Sequence, residues 1–471
     1  MPLPGAAEDT AARDAFAAHC LEVAEHADPR LRTRAQARWF RVLAAEQDNM
    51  NAAVRWAVAR GDAATALRLV RALGYYWVQR GQGEADTLCR AVLALPPPEP
   101  LTQPIVEGRI VCALLAAGWS WDIDSIRAPL TEALAALERL VGPQDVTHPL
   151  VAMAEPLLMQ YDGAADQAEQ QYQRYLAARD PWLRAMSQLY LSSSRISRGR
   201  LDGAEAHCRA ALAELRALGE QWGAAVALAQ LAEFSDLRAD HAASIAALTE
   251  AAAIGRELGV WGDLTYVEAR LALSYARAGD SGRARAGYAL VEQTMRARGG
   301  DVDTDRWVAF MRAELAWREG DYAAAARCCE DVLAATRAPN LARWWQALRA
   351  QVKARLAMAL ERQGDTRRGR ALLAEAVDAA GSWFEHPALA AVLDACAAHL
   401  VNQGDAACAA RLLGVAHAVR GAVDQSSLDA PAARDAARQA LGPAGFDAAY
   451  AAGLGRSYAS AVSDARQALA G

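Results

Sequence analysis

A turn signal that recurs about every forty residues constrains the fold of this chain more than any other sequence feature. In each copy, a residue that can end a helix follows an apolar stretch, and a small residue stands five positions later. Five clean copies begin with glycine and one degenerate copy begins with alanine, at Gly199, Ala239, Gly279, Gly320, Gly364 and Gly404. Self-similarity at such a period is typical of helical-repeat arrays.

The residues around each turn predict a helix hairpin. In Gly279-Asp280, the glycine supplies the left-handed backbone conformation that ends the first helix, and Asp280 can cap the second. Ala284 then lets the two helices approach closely. Because no single hairpin can bury its apolar face, consecutive hairpins are expected to stack. The sequence predicts an all-α fold, a right-handed superhelix of stacked antiparallel helix hairpins, with roughly nine to ten hairpins.

The repeat resembles the tetratricopeptide repeat, in which a Leu-Gly pair, an aromatic residue, a Gly-Asp-Tyr turn and an alanine follow in order. The best match in this chain is Leu73-Gly74, followed by Trp77 and Gly81. The period here exceeds the 34 residues of that repeat. The resemblance therefore implies hairpins with longer helices.

A run of prolines gives the sharpest break in the chain. Residues 96–100 read Pro-Pro-Pro-Glu-Pro, and polyproline cannot continue a helix. We therefore predict an N-terminal helical section at 1–95, a Pro-rich linker at 96–103 and the tetratricopeptide-like superhelix at 104–420. The remaining residues, 421–471, are predicted to form C-terminal capping helices, which solenoids need.

Composition and charge exclude several classes of function. The formal net charge is −6, which excludes a whole-chain basic footprint for nucleic acid. The only lysine of the chain, Lys353, follows a valine. The chain therefore lacks the glycine-lysine pair of a P-loop. The N-terminus carries no secretory pattern, and the longest apolar stretch, Ile110–Trp121, is too short to span a membrane. We expect a soluble cytoplasmic protein that contacts neither membrane nor nucleic acid directly.

Two segments resemble one family of signalling proteins. The first contains Glu46-Gln47-Asp48-Asn49 within residues 35–57, and the second comprises residues 410–416, followed by 441–442 and 446–453. Both are similar to the C-terminal arm of bacterial STAND signalling ATPases, including LuxR-type regulators and antibiotic-regulatory activators. The resemblance implies an arm that senses an inducer or partner and controls assembly.

The family's ATPase and DNA-binding modules are missing from this sequence, so those activities do not carry over to it. The chain is either an excised arm, whose partners include its own ATPase and DNA-binding modules, or a stand-alone homologue that meets a separate protein partner. A small-molecule or peptide inducer is a further possible partner.

Candidate sites for chemistry are few, and each has a simpler structural explanation. His19, Glu22 and His26 share one helix face and could bind a metal, although a solvated face explains them as well. Asp122 and Asp124 could mimic a carboxylate pair, although Asp124 also fits a helix N-cap.

Two further runs of residues carry a functional and a structural explanation. The arginines between Arg30 and Arg41 could meet a phosphate or form a charged turn. The adjacent Cys328-Cys329 could be redox-active or simply buried. We predict no catalytic residue, no metal site and no cofactor.

The aromatic residues are the most informative signal. Tryptophans recur where the first helix of a repeat is predicted to start, at Trp182, Trp222, Trp261, Trp307, Trp344, Trp345 and Trp383. Packing between repeats explains most of them. Three successive repeats, however, also direct a mixed set of aromatic and charged residues at the predicted concave groove. This set comprises Glu233, Asp236, Tyr266, Arg277, Trp307, Phe310, Glu314, Trp317 and Arg318.

The leading hypothesis is a non-enzymatic regulatory arm that binds an inducer, peptide or protein in this groove. Two alternatives stay open. A plain interaction scaffold predicts a shallow face, and a ligand-sequestering protein or enzyme predicts buried titratable groups, such as Glu233, Asp236 and Arg277, inside a closed cavity.

Overall fold

All regular structure in the computed structural model of this chain is helical. The structure describes residues 6–80, 84–117, 123–141, 148–298, 302–336, 344–381 and 386–470, and these ranges contain no strand. The predicted all-α class is therefore confirmed. None of the helices in these ranges combines the length and apolar character that a membrane span requires.

The chain divides into two compact units. Unit 1 comprises Met1–Leu191, Ala210–Val226 and Ala253–Asp263, and unit 2 comprises Ser192–Arg209, Ala227–Ala252 and Leu264–Gly471.

The first half of the chain contains nine α-helices and one 3-10 turn within the described residues. They are α1 (Ala6–Ala27), the 3-10 turn Asp28–Arg32, α2 (Gln36–Ala45), α3 (Gln47–Arg60), α4 (Ala63–Arg80), α5 (Ala85–Leu93), α6 (Gln103–Ala116), α7 (Ile123–Leu140), α8 (Pro149–Tyr161) and α9 (Ala165–Tyr175). In unit 1, α4 packs against α1, α3 and α6, and α6 packs against α5 and α7.

The rest of the described chain contains fourteen α-helices. They are α10 (Pro181–Ser197), α11 (Ala204–Leu218), α12 (Gln221–Leu237), α13 (His241–Leu258), α14 (Trp261–Arg277), α15 (Ser281–Arg298), α16 (Val302–Arg318), α17 (Tyr322–Ala335), α18 (Trp344–Arg362), α19 (Thr366–Ala380), α20 (His386–Asn402), α21 (Ala406–Arg420), α22 (Ala430–Leu454) and α23 (Tyr458–Ala470). The even-numbered helices from α10 to α20 begin about forty residues apart, as the repeat predicts.

The predicted turns have the backbone that the hairpin needs. The glycines that begin the five clean copies all have positive φ, and Ala239 in the degenerate copy adopts the same conformation, with φ 56°. At four of these five glycines, the next residue is an aspartate that caps the following helix. The carboxylates of Asp280, Asp321, Asp365 and Asp405 each accept a hydrogen bond from the backbone N–H three residues on.

Small residues allow the helices of a hairpin to approach closely. Ala284 is fully buried, as predicted. A β-carbon added at Gly369 on α19 would lie 2.9 Å from the carbonyl oxygen of Ala357 on α18. A larger residue at such a position would push the two helices apart. In unit 2, α16 to α21 pack in sequence around one continuous apolar core.

The Pro-rich segment connects α5 and α6, which pack against each other in unit 1. The predicted division of the chain at 96–103 stays a prediction, as do the limits at 104 and 420. The predicted C-terminal section contains α22 and α23, and both pack against α20 and α21. Residues 421–429 join α21 to α22 without regular structure.

Candidate functional site

The predicted groove residues lie on three first helices of consecutive repeats, α12, α14 and α16, and all belong to unit 2. They do not form one set. Glu233, Asp236, Arg277, Glu314 and Arg318 join a row of ion pairs, whereas Tyr266, Trp307 and Phe310 form an aromatic face. Trp317 belongs to neither and packs at the other end of α16.

The ion pairs connect the three helices through alternating charges. Arg270, which was not among the residues predicted from the sequence, pairs with Glu233 at 3.0 Å and with Asp236 at 3.6 Å. Arg277 lies 3.4 Å from Asp236 and makes two bonds to Glu314, of 3.0 and 3.2 Å. This row of carboxylates and guanidinium groups, with Arg318 at its end, is called the ion ladder below.

Glu314 is the most strongly held carboxylate of the ion ladder. It accepts two bonds from Arg277 and two from Arg318, of 3.2 and 2.9 Å. Burial by itself would raise the pKa of Glu314, but the two guanidinium groups outweigh burial and lower this pKa to about 2. Glu314 is therefore ionised at neutral pH, and both arginines are neutralised from within the protein.

Glu233, at the opposite end of the ion ladder, is more accessible. Its side chain is 42% exposed, whereas that of its partner Arg270 is only 9% exposed. Desolvation raises the pKa of Glu233, with Asp236 adding to the rise and Arg270 opposing it. Of the described atoms, Oδ1 of Asp236 is buried and accepts no hydrogen bond. Glu233 is thus the ladder carboxylate best able to meet a ligand.

The aromatic face lies beside Glu233. Tyr266 is 37% exposed, and its ring meets that of Trp307 edge-on at 6.1 Å between centroids. The ring centroids of Trp307 and Phe310 are 6.5 Å apart, and both side chains are half-buried. The guanidinium of Arg270 lies 5.8 Å from the centre of the Tyr266 ring. Large rings held by their neighbours in this way offer contact area at low entropic cost.

Trp317 has a different environment from the aromatic face. It is 9% exposed and contacts Tyr322 edge-on at 4.9 Å. The guanidinium groups of Arg355 and Arg362 lie 5.0 and 5.9 Å from its ring centre. Trp317 therefore serves packing and cation–π contacts at the C-terminal end of α16.

A further regularity of the sequence, not used in the prediction, locates these charges. Counting back from each turn residue, α12 and α16 carry glutamate six positions earlier, at Glu233 and Glu314. The intervening helix α14 carries arginine nine and two positions earlier, at Arg270 and Arg277. Helix α18 repeats the basic pattern with Arg355 and Arg362. Acidic and basic patterns thus alternate from α12 to α18, and ion pairs join α12 to α14 and α14 to α16.

The metal and redox alternatives receive no support from the geometry. His19, Glu22 and His26 are exposed, and the described residues contain no group of three side chains that could hold a metal ion. Cys329 is a buried free thiol, and burial raises its pKa to about 12, which disfavours the reactive thiolate. Cys328 is a half-buried free thiol, and burial raises its pKa as well.

Other predicted residues take structural roles or lie outside the described ranges. Arg32 of the basic run pairs with the buried Asp28 at 2.6 Å. Trp182 and Trp222 pack edge-on against Tyr75 in unit 1. Outside the described residues or side chains lie Gly81, Asp122, Trp261, Trp344 and Trp383.

A cleft of about 450 Å³ in unit 1 was not predicted from the sequence. It lies where α7, α8 and α9 meet. Leu137 and Leu158 contribute apolar surface, and Glu138 and Glu155 contribute carboxylates. This mixed lining does not specify the chemistry of a ligand.

Comparisons with known proteins concern the fold. No protein-family model matches the chain, and no curated protein matches it. A Signal Transduction ATPase with Numerous Domains (STAND) protein with a tetratricopeptide repeat sensor, from Pyrococcus horikoshii, is similar in structure at 10% identity and a TM-score of 0.44. The similarity covers 80% of this chain and 56% of that one, so this chain spans little more than half of the STAND protein.

Two other solved structures are similar to this chain. The APC/C hetero-tetramer Cut9-Hcn1 has 13% identity, a TM-score of 0.33 and coverage of 86% of this chain and 92% of that one. A circular tandem repeat protein has 14% identity, a TM-score of 0.16 and coverage of 98% of each chain. Likenesses of this degree assign neither a function nor a partner to this chain.

Proposed function

We propose that this chain is a non-enzymatic interaction module that binds a peptide segment of a partner protein on its aromatic face. One observation carries the proposal: Tyr266, Trp307 and Phe310 form a row of rings over two consecutive first helices, with the accessible carboxylate of Glu233 beside them. Partly exposed rings next to a carboxylate suit an arginine or lysine side chain flanked by apolar residues.

The ion ladder supports the proposal that a ligand binds on the aromatic face and not on the inner charges. Its inner charges neutralise one another, so a ligand that used them would first have to break buried ion pairs at considerable cost. The exposed parts of Tyr266 and Glu233 can be reached without breaking the inner pairs of the ion ladder, those of Asp236 and Glu314. An accessible row of this kind favours a peptide over a small inducer, because a small molecule gains most of its affinity from an enclosing pocket.

We further propose that peptide binding controls a signalling ATPase, as the sequence resemblance to STAND arms implies. The ATPase would belong either to the same polypeptide or to a separate cytoplasmic protein. Such control requires the partner to bind one state of the regulator more tightly than the other. The proposed module needs no cofactor.

A library of random peptides tests the binding face and does not require the partner protein to be identified first. Phage-displayed peptides of twelve residues would be selected on the wild-type chain. We expect enriched peptides to contain a basic residue near an apolar or aromatic one. In fluorescence anisotropy, Trp307→Ala should weaken their binding by about tenfold or more, the usual effect of truncating an aromatic anchor.

The matched control is Phe16→Ala in unit 1. It removes a ring that is 37% exposed, as is the ring of Tyr266. This variant should leave the affinity within about twofold of wild type, as expected for a residue outside the interface. Equal binding of the selected peptides to Trp307→Ala, Tyr266→Ala and wild type would overturn the proposal.

A further inference from the structure

We propose that residues 421–429 are an internal ligand of a second binding site in unit 2, and that the external ligand of this site is an acidic peptide. These residues are called the strap below. The site comprises the carbonyl group of Leu237 and the side chains of Arg318 and Arg355. It lies apart from the aromatic face, at the C-terminal end of α12 and α16 and on α18.

Three contacts hold the strap against the site. The backbone N–H of Gln425 donates to the carbonyl oxygen of Leu237 at 2.9 Å. The carbonyl oxygen of the following residue, Ser426, accepts a hydrogen bond from the Arg318 guanidinium at 3.1 Å. Three residues later, the Asp429 carboxylate pairs with Arg355 at 2.9 Å. The site thus accepts a backbone donor, a backbone acceptor and a carboxylate within five residues of one segment.

The strap satisfies many of its remaining polar groups by itself. Asp424 accepts bonds from the N–H and the hydroxyl group of Ser426, of 2.9 and 3.0 Å. The Ser427 hydroxyl oxygen accepts bonds from the N–H groups of Asp429 and Ala430. Release of the strap would therefore break its contacts with the site, the close contact between Gly421 and Gly199, and the packing of the partly buried Leu428.

The charge of the site determines the class of ligand. Arg355 is 16% exposed and lies against Trp317, with Arg362 on the same ring. On the neighbouring helix, Arg318 shares the carboxylate of Glu314 with Arg277. Among these side chains, Arg318, Arg355 and Arg362 thus outnumber the carboxylate of Glu314, and Asp429 supplies the carboxylate that pairs with Arg355.

A buried arginine that loses its carboxylate is strongly unfavourable. Any peptide that replaces the strap therefore has to bring a carboxylate to Arg355. A basic or purely apolar peptide would leave this guanidinium unpaired. The occupant most compatible with the site is an acidic peptide with an exposed backbone, like the strap itself.

The strap has the advantage of being attached to the site. A tethered segment acts at an effective concentration in the millimolar range, so a free peptide competes poorly with it in the wild-type chain. Weakening the strap should therefore increase the affinity for an external acidic peptide. This increase distinguishes an occupied binding site from an ordinary structural connection.

The test uses the full chain and a labelled synthetic peptide with the sequence of residues 421–429. In Asp429→Asn, the strap keeps its shape but loses the charge that pairs with Arg355. We expect this variant to bind the peptide about tenfold more tightly than wild type. Adding Arg355→Ala should remove this gain, and a peptide with asparagine at both aspartate positions should bind neither protein.

Equal binding of the acidic peptide to wild type and Asp429→Asn would overturn the proposal, as would equal binding of the acidic and asparagine peptides. Trp307→Ala should not change binding at this site, so failure here is separable from failure of the aromatic face. Circular dichroism checks that each variant is folded.

A measurement on the wild-type chain covers the case in which a variant does not fold. At millimolar acidic peptide, amide hydrogen exchange of Gln425 should become faster, because its bond to Leu237 is lost when the strap leaves. Unchanged exchange at saturating peptide would mean that the strap is a fixed connection and would also overturn the proposal.

Discussion

A buried glutamate in unit 1 and a half-buried one in unit 2 have opposite electrostatic environments. Glu220 in unit 1 is 1% exposed and accepts hydrogen bonds from the Gln36 amide, the Tyr75 hydroxyl at 3.1 Å and the Gly223 N–H at 2.7 Å. Burial raises its pKa from 4.5 to about 7, although these donors oppose the rise. Glu314 in unit 2 is held by two arginines, and its pKa is lowered from 4.5 to about 2.

The comparison separates what burial does from what neighbours do. Burial penalises the charge of both glutamates, and neutral donors recover only part of this penalty in unit 1. Two guanidinium groups reverse it in unit 2. Asp394 lies between these cases: burial, with Asp424 and Asp429 nearby, raises its pKa to about 6, although Arg420 binds it at 2.5 Å.

The largest expected effect is on the charged member of this comparison. Glu314→Gln keeps the size of the side chain but leaves Arg277 and Arg318 short of negative charge. We expect the free energy of unfolding at pH 7 to fall by about 3 kcal/mol, because a nearly buried ion pair loses one partner. Urea unfolding followed by tryptophan fluorescence measures this change.

The matched control for Glu314→Gln is an exposed ion pair on the same unit. Arg285 pairs with Glu319, and their side chains are 64% and 28% exposed. Arg285→Ala should change the unfolding free energy by less than about 0.5 kcal/mol, since exposed pairs contribute little. If Glu314→Gln is no more destabilising than this control, the assigned role of the ion ladder is wrong.

The second prediction concerns the pH dependence that Glu220 imposes. Its pKa is higher in the folded state than in the unfolded state, so the unfolded chain releases this proton at lower pH. Between about pH 4.5 and 7, the contribution of Glu220 to stability therefore falls as pH rises, by roughly 3 kcal/mol in total. Glu220→Gln should remove this slope.

The measurement is the difference in unfolding free energy between Glu220→Gln and wild type at pH 5 and pH 8. Other titrating groups are common to both proteins and cancel in this difference. We expect the variant to gain relative to wild type as pH rises. A difference that stays constant with pH would contradict the assignment of a neutral carboxyl group to unit 1.

The smallest predicted effect compares two helix caps. Glu220 caps α12 from a buried position, whereas Asp321 caps α17 at the surface, accepting from the N–H of Ala324 at 2.8 Å. Asp321→Ala should lower the unfolding free energy by about 1 kcal/mol, because the N–H of Ala324 loses its acceptor. Thermal unfolding checks this, and an unchanged midpoint would contradict the capping role of Asp321.

The fold could be predicted from the sequence because each turn carries its own local signal. Gly279-Asp280 specifies both the end of one helix and the cap of the next, and Ala239 was recognised from its position in the repeat despite lacking glycine. The alternating charges of Glu233, Arg270 and Glu314 can also be recognised in the sequence, once the repeats are aligned at their turn residues. Arg270 was not predicted because its role emerges only when neighbouring helices are compared at the same distance from their turns.

What could not be predicted depends on contacts between residues that are far apart in the chain. In the sequence, the strap is only a polar segment that precedes the predicted capping helices. No local pattern links Ser426 to Arg318 or Asp429 to Arg355. A hydrogen-bond partner of Glu220 is also far away in the sequence, since Gln36 is 184 residues from it. Such contacts follow from tertiary packing, which the repeat pattern does not specify.

The meeting of two glycines at the start of the strap has a consequence for synthesis of the chain. A β-carbon added at Gly199 would overlap the carbonyl oxygen of Val419, and one added at Gly421 would overlap that of Gly199. Ribosomes add roughly 5–20 residues per second, so the turn after α10 emerges about ten seconds or more before Gly421 exists. During this interval its surface is uncovered, so this close backbone contact can form only late in synthesis.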